Sequence, residues 1–191
     1  MKFLTFKRIG IFVLILVASI LFGVIYDAAA TAHEKKKYPI DSRYEAFVAD
    51  AAEESGIPEP VLWAFCREES RFDSSLLSKD GNIGLLQISP EILTFVSTKL
   101  LETSYETGIL YDPATNLRVG AAYLSYLYER YGNWSTVYAA YTAGTDAVDG
   151  WLRDESHVTA TGELRRLPSS TASYVKRLTK ATALYQKLYY R

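Results

Sequence analysis

At 191 residues and 21.5 kDa, with 49% hydrophobic and 23% charged residues, the chain is long enough for one domain plus an appendage and too apolar for bulk disorder. Its formal net charge is −1, and residues 33–191 alone carry 18 basic and 21 acidic residues, which argues against a nucleic-acid binder. A single cysteine, Cys66, excludes an intramolecular disulfide and a multi-cysteine zinc site, and with His33 and His157 as the only histidines no metal or other cofactor is expected.

Ile9 to Tyr26 is an uncharged run of 18 residues behind Lys2, Lys7 and Arg8. As a helix it spans about 27 Å, close to a hydrocarbon core of about 30 Å, whereas a secretory core is usually about 7–15 residues. Ala28-Ala29-Ala30 and Ala30-Thr31-Ala32 both fit a small-residue cleavage site. Residues 1–26 therefore read as a membrane-inserted signal-anchor or a cleaved signal peptide, with a buried core helix as the third alternative. Lys2, Lys7 and Arg8 favour placing the C-terminal part outside, against the opposing Lys35-Lys36-Lys37. Residues 27–42 read as a polar tether that reaches about 50 Å when fully extended.

The remainder, 43–191, reads as one mainly helical domain. Phe47, Val48, Ala51 and Ala52 recur at helical spacing between Tyr44 and Ser55, and Gly56 stops that helix. Pro58 and Pro60 open a second helix, which the pattern carries from Val61 to Phe72. Ser78 to Gly84 is a turn cluster, and the short apolar run Leu85 to Ile88 predicts at most a small hairpin or loop near 81–89. Ser89-Pro90-Glu91 starts another helix. Asp112-Pro113 starts the longest pattern, with Leu117, Ala121, Leu124 and Leu127 on one stripe up to Tyr131, before Gly132-Asn133 breaks it. Trp134 to Ala143 and Ser169 to Tyr190 complete the set. Nothing alternates strand with helix, and no repeat is present.

Two adjacent carboxylates end the second apolar helix. Glu69 follows Phe65 by four residues and Leu62 by seven; Glu68 stands in the same relation to Ala64 and Val61, so helical phase does not separate them. A glutamate held among apolar groups has its pKa raised by desolvation and becomes a general acid. Holding it neutral near pH 7 takes a rise of about two units, or about 2.7 kcal/mol. The alternative is a pair of solvated helix charges matched with Arg67 or Arg71.

From about Pro60 to about Tyr174 the sequence resembles the SLT-type lytic transglycosylases, bacterial enzymes of lysozyme-like fold that cleave peptidoglycan. Glu69-Ser70-Arg71-Phe72 resembles the family's catalytic glutamate followed by serine, any residue and an aromatic, which selects Glu69 over Glu68. Ser78, Gly81 and Gly84-Leu85-Leu86-Gln87 stand where the family has a serine, a glycine and a Gly-Leu-Met-Gln run. Asp112-Pro113, Asn116 and Gly120-Ala121-Ala122-Tyr123-Leu124 resemble the helix behind the cleft. Ala140-Tyr141-Thr142-Ala143-Gly144 resembles the Ala-Tyr-Asn-Ala-Gly motif, and Tyr174-Val175 the closing Tyr-Val. Three positions depart from the family. Leu86 replaces methionine at similar volume, Thr142 replaces an asparagine amide, and Pro168-Ser169-Ser170-Thr171 replaces a Glu-Thr pair, so that a second cleft carboxylate is either missing or relocated, with Glu163 as the position to look at.

The resemblance implies a mainly α, lysozyme-like domain acting on peptidoglycan glycan strands. Glu69 is its acid/base, and Ser70, Ser78, Gln87, Tyr141, Thr142 and Tyr174 are its substrate-binding candidates. Cleavage of the β-1,4 bond between N-acetylmuramic acid and N-acetylglucosamine would close a 1,6-anhydro ring. Two alternatives stay open: a muramidase that adds water, and a wall-binding or assembly protein that has kept the fold without the activity.

Overall fold

The computed structural model describes residues 2–190, with side chains from residue 11 onward, so the basic flank of Lys2, Lys7 and Arg8 lies outside the described side chains. It divides into two units, Met1–Pro39 and Ile40–Arg191. The first is one helix, α1 (Lys2–Lys37). Its apolar side chains face outward on every side: Phe12 is 73% exposed and Ile25 67%. A helix apolar all round demands an apolar surrounding, and from Ile11 α1 is long and apolar enough to cross a membrane. It continues through residues 27–37, so most of the segment read as a tether rises by about 1.5 Å per residue. Lys35, Lys36 and Lys37 sit in its last turn, where cations offset the negative end of the helix dipole.

The second unit holds seven α-helices among the described residues: α2 (Glu45–Ser55), α3 (Glu59–Glu69), α4 (Pro90–Lys99), α5 (Pro113–Tyr131), α6 (Trp134–Ala143), α7 (Thr145–Arg153) and α8 (Ser169–Tyr189). Their starts follow from side chains that can accept a free backbone N–H. Ser89 accepts from Ile92 at 3.2 Å, Asp112 from Thr115 at 2.9 Å and Asn133 from Thr136 at 3.2 Å. Pro90 and Pro113 occupy first-turn positions where the missing N–H is harmless. Gly56 and Gly132 close α2 and α5 in the left-handed conformation.

Helix α3 is the axis of this unit. Every residue from Pro60 to Cys66 is buried, because α2 and α8 pack against it and the aromatic side chains of α6 close over Phe65. A helix this enclosed has only its last turn left to carry polar groups. It ends at Glu69, three residues before the sequence pattern predicts. Arg71 and Phe72 adopt φ of 51° and 68°, and the Phe72 N–H turns back to the Cys66 carbonyl at 3.1 Å. Packing of the Phe72 ring on Trp63 and a 3.3 Å bond from the Tyr44 hydroxyl to the Phe72 carbonyl hold this disfavoured backbone in place.

Elsewhere the expected elements are present, the loop near 81–89 among them, with two differences among the α-helices. The segment near 81–89 forms isolated antiparallel bridges, Leu77 to Ile83 and Ile83 to Ile88, and no sheet exists among the described residues. Helix α7 is additional: Ala147, Val148, Trp151 and Leu152 share one face of it, but it is only 9 residues long and contains Gly150, a residue that costs a helix about 1 kcal/mol. Helix α8, at 21 residues, is longer than α5 at 19.

Candidate active site

Glu69 is the last residue of α3, half-buried where α3 meets α6 and α8. The Tyr174 hydroxyl of α8 donates to Glu69 Oε1. Burial is the main force on the carboxyl and pushes its pKa up to about 7; the Glu68 charge acts in the same direction, while the Tyr174 bond and Arg177 oppose it. Its neighbour is arranged differently. Glu68 is paired with Arg67 and, at 3.3 Å, with Arg177 of α8. The ambiguity of helical phase is thus resolved by surroundings: one carboxylate is saturated by guanidinium groups, and the other faces a single neutral hydroxyl.

The wall beside the acid is built from the loop after Ser78 and from α5. Buried Asn116 accepts from the Leu86 N–H at 2.9 Å and donates to the Ile83 and Leu110 carbonyls, each at 2.9 Å. Gly84 lies against it at φ 79°, and a Cβ there would sit 2.3 Å from Asn116 Nδ2 and 2.5 Å from the Leu110 carbonyl oxygen, so no other residue fits. Gly120 likewise leaves room for Leu86, whose Cδ1 would be 2.3 Å from an added Cβ. With the loop pinned, the Leu86 carbonyl accepts from the Tyr141 hydroxyl at 2.7 Å. The Tyr141 ring stands edge-on to Phe65 at 4.7 Å and 5.8 Å from Tyr123. Burial, then the nearby Glu69 charge, raises its hydroxyl well above the usual phenol range, and the same two causes keep Tyr174 protonated.

The expected residues therefore fall into two groups. Glu69, Tyr141 and Tyr174 come together. The hydroxyl on the acid is that of Tyr174, whereas Tyr141 is committed to the Leu86 carbonyl. Ser70 is buried, with its hydroxyl on the Cys66 carbonyl at 3.0 Å, and finishes α3. Ser78 accepts from the Asn82 N–H at 3.0 Å and closes the turn. Gln87 spends both amide hydrogens on the Leu76 and Gly84 carbonyls, at 3.1 and 3.0 Å, which leaves its side-chain oxygen as the acceptor it presents. Thr142 is exposed on the last turn of α6, and Glu163 is exposed in the turn bridged by Val158 and Leu164. Cys66 is fully buried, and its environment pushes the thiol pKa far up, so it packs as a small hydrophobe. Arg177 is the member that sequence reasoning missed; its spacing of three from Tyr174, on the same helical face, is the signal that could have found it. A cavity of about 220 Å³ is lined by Glu91, Ile92, Phe95, Tyr123, Tyr126 and Thr145. Glu69 does not line it; Tyr123, one of its walls, lies 5.8 Å from the Tyr141 ring. Among the described residues no cluster could hold a metal ion.

The family described as Transglycosylase SLT domain matches residues 46–161, more than half of the chain. The chain belongs to this SLT family. It is 33% identical over 135 residues to the soluble lytic murein transglycosylase of Escherichia coli, covering 68% of this chain and 21% of that protein. With the membrane-bound lytic murein transglycosylase C of Haemophilus influenzae it shares 29% over 116 residues, 56% of this chain and 32% of that one. The crystal structure of the 70 kDa soluble lytic transglycosylase of Escherichia coli superposes with a TM-score of 0.73 at 30% identity, over 81% of this chain and 25% of that chain. The chain thus spans about a quarter of the length of its soluble relatives. The SLT match stops at 161, before α8, so Tyr174 and Arg177 join the site through the fold and not through the matched segment.

Proposed function

We propose that this SLT domain is a peptidoglycan lytic transglycosylase in which Glu69 is the only acid and base. The observation that carries this reading is a carboxyl at the end of a buried helix, pushed up to about 7 and touched by one neutral donor. Such a group is protonated for a large fraction of the time at neutral pH and can still lose its proton. In its acid form Glu69 gives a proton to the oxygen between N-acetylmuramic acid and N-acetylglucosamine, while the acetamido group of the muramoyl sugar assists at the anomeric carbon. The carboxylate left behind receives the Tyr174 hydrogen bond, which stabilises it at that moment. It then removes the proton of the muramoyl 6-hydroxyl, the oxygen closes the 1,6-anhydro ring, and Glu69 is protonated again.

An ordinary glycosidase needs a second free carboxylate, to act as nucleophile or to activate water. The carboxylate that acts on Glu69 is Glu68, and both Arg67 and Arg177 occupy it. That arrangement favours the intramolecular hydroxyl over water. Helix α1 is proposed as membrane anchor or secretion signal, placing the domain on the cell-wall side.

Mass spectrometry of products released from purified peptidoglycan tests the whole reading. The parent protein is expected to give muropeptides one water lighter than hydrolysis products, and Glu69→Gln to give none. Products with ordinary reducing ends would make it a muramidase. Release undiminished in Glu69→Gln would remove Glu69 from the chemistry altogether.

A further inference from the structure

Arg177 makes two contacts at once. Its Nε forms an ion pair with Glu68 Oε2 at 3.3 Å, and its guanidinium carbon lies 5.8 Å from the centre of the Tyr174 ring, the ring whose hydroxyl rests on Glu69. Glu68 is only 11% exposed at its side chain and is held from the other side by Arg67. An exposed ion pair at a helix surface contributes little to stability, yet this one spans α3 and α8 beside the acid. We propose that Glu68 and Arg177 are positioning residues for Glu69: the pair fixes the Tyr174 ring over the carboxyl, and each partner cancels the charge the other would impose on it.

The inference rests on Glu69 being the acid and adds how that acid is regulated. Glu68 from α3 and Tyr174 and Arg177 from α8 act on Glu69 directly, Glu69 in turn acts on Tyr141 from α6, and Cys66, Arg67 and Tyr185 complete the cluster around those groups. Burial holds the three tyrosines and the cysteine in their neutral forms. The charges that remain are Arg67, Glu68 and Arg177. Loss of Glu68 alone leaves cations beside Glu69 and favours its ionised form, whereas loss of Arg177 alone weakens the opposition to Glu68 and favours the protonated form.

The experiment is a ¹³C NMR titration of the Glu69 carboxyl in the full chain, carried in detergent. Glu68→Gln keeps the shape of the side chain while its charge is lost; the Glu69 midpoint is expected to fall by about half a unit or more. Arg177→Met keeps the chain length without the cation, and the midpoint is expected to rise by a similar amount. Arg177→Lys, which restores the cation, brings it back. The proposal is overturned if Glu68→Gln and Arg177→Met leave the midpoint in place or move it in the same direction, as a merely structural pair would. Because the readout is the carboxyl itself, opposite shifts in a chain that releases no muropeptides would sink the proposed activity and leave the pair standing. Muropeptide release with an unmoved midpoint would do the reverse.

Discussion

Replacing Glu69 with Gln tests the buried acid without any substrate. The folded carboxyl titrates at about 7 against an ordinary value of 4.5, because burial opposes its charge. Between those two values the folded chain retains a proton that the unfolded chain has released. Stability therefore falls as pH rises through this window, and the full penalty stands above about pH 7. At about 1.4 kcal/mol per unit it amounts to about 3 kcal/mol, reduced to about 2 kcal/mol because Glu69 is partly open to solvent. Glutamine has the same shape, cannot ionise, and keeps an oxygen for the Tyr174 hydroxyl. The variant should be more stable than the parent by about 2 kcal/mol at pH 8, and by less than about 0.5 kcal/mol at pH 4.5. Urea unfolding of the full chain in detergent reads this through buried Trp63, and for a domain of this size the pH 8 difference corresponds to about 4–8 °C in Tm. Equal stability of the two proteins at both pH values would refute a desolvated acid at position 69.

In the proposed mechanism the same protonation state governs activity, so kcat/KM for muropeptide release should decline above about pH 7, where the acid form is lost. Tyr174→Phe deletes the hydrogen bond that favours the carboxylate; its profile should lose rate at every pH while the alkaline limb moves up by about one unit, and an unmoved limb would exclude the hydroxyl as a pKa determinant. Asn116→Ala strands the Leu86 N–H and the Ile83 and Leu110 carbonyls in the core and should cost about 3 kcal/mol or more in urea unfolding; a loss below about 1 kcal/mol would mean the loop is pinned by something else.

Helix positions were legible in the sequence wherever a side chain both starts the helix and repeats on its face. Ser89 and Asp112 are such starts, and Gly56 and Gly132 are the matching stops, whereas Asn133 read only as part of the break and also caps α6. The end of α3 was not legible, because Arg71 and Phe72 sit in a conformation that neither residue prefers and that only tertiary packing maintains. Helix α7 was missed for another reason: Val148, Trp151 and Leu152 do share a face, but the helix is only 9 residues long, carries Gly150 and follows Gly144 directly. In the site, phase alone left Glu68 and Glu69 equivalent. What distinguishes them is which helix crosses above, and α8 arrives more than 100 residues later in the chain with a tyrosine for one and an arginine for the other. A loop that reads as polar turn chemistry is in fact a set of backbone contacts fixed by Asn116, Gly84 and Gly120, residues whose importance lies in the space they fill or leave empty.

A position at a helix C-terminus is an unfavourable place for a carboxylate, since the last carbonyls present the negative end of the dipole. Glu69 occupies such a position, and burial and Glu68 add to the disfavour. The Ser70 N–H, the Phe72 N–H and the Ser70 hydroxyl all turn toward the Cys66 carbonyl, so part of that negative end is answered locally. Against what remains stand the Tyr174 hydroxyl and Arg177. Neither side wins outright, and that balance is what the proposed chemistry requires. A carboxyl raised further would give up its proton to the leaving sugar too reluctantly, and one left at its solution value would hold too few protons to give. The proposed mechanism asks for both directions of transfer from one side chain within a single turnover, so it calls for a pKa near the working pH, and opposing neighbours on α3 and α8 are how this fold would reach it.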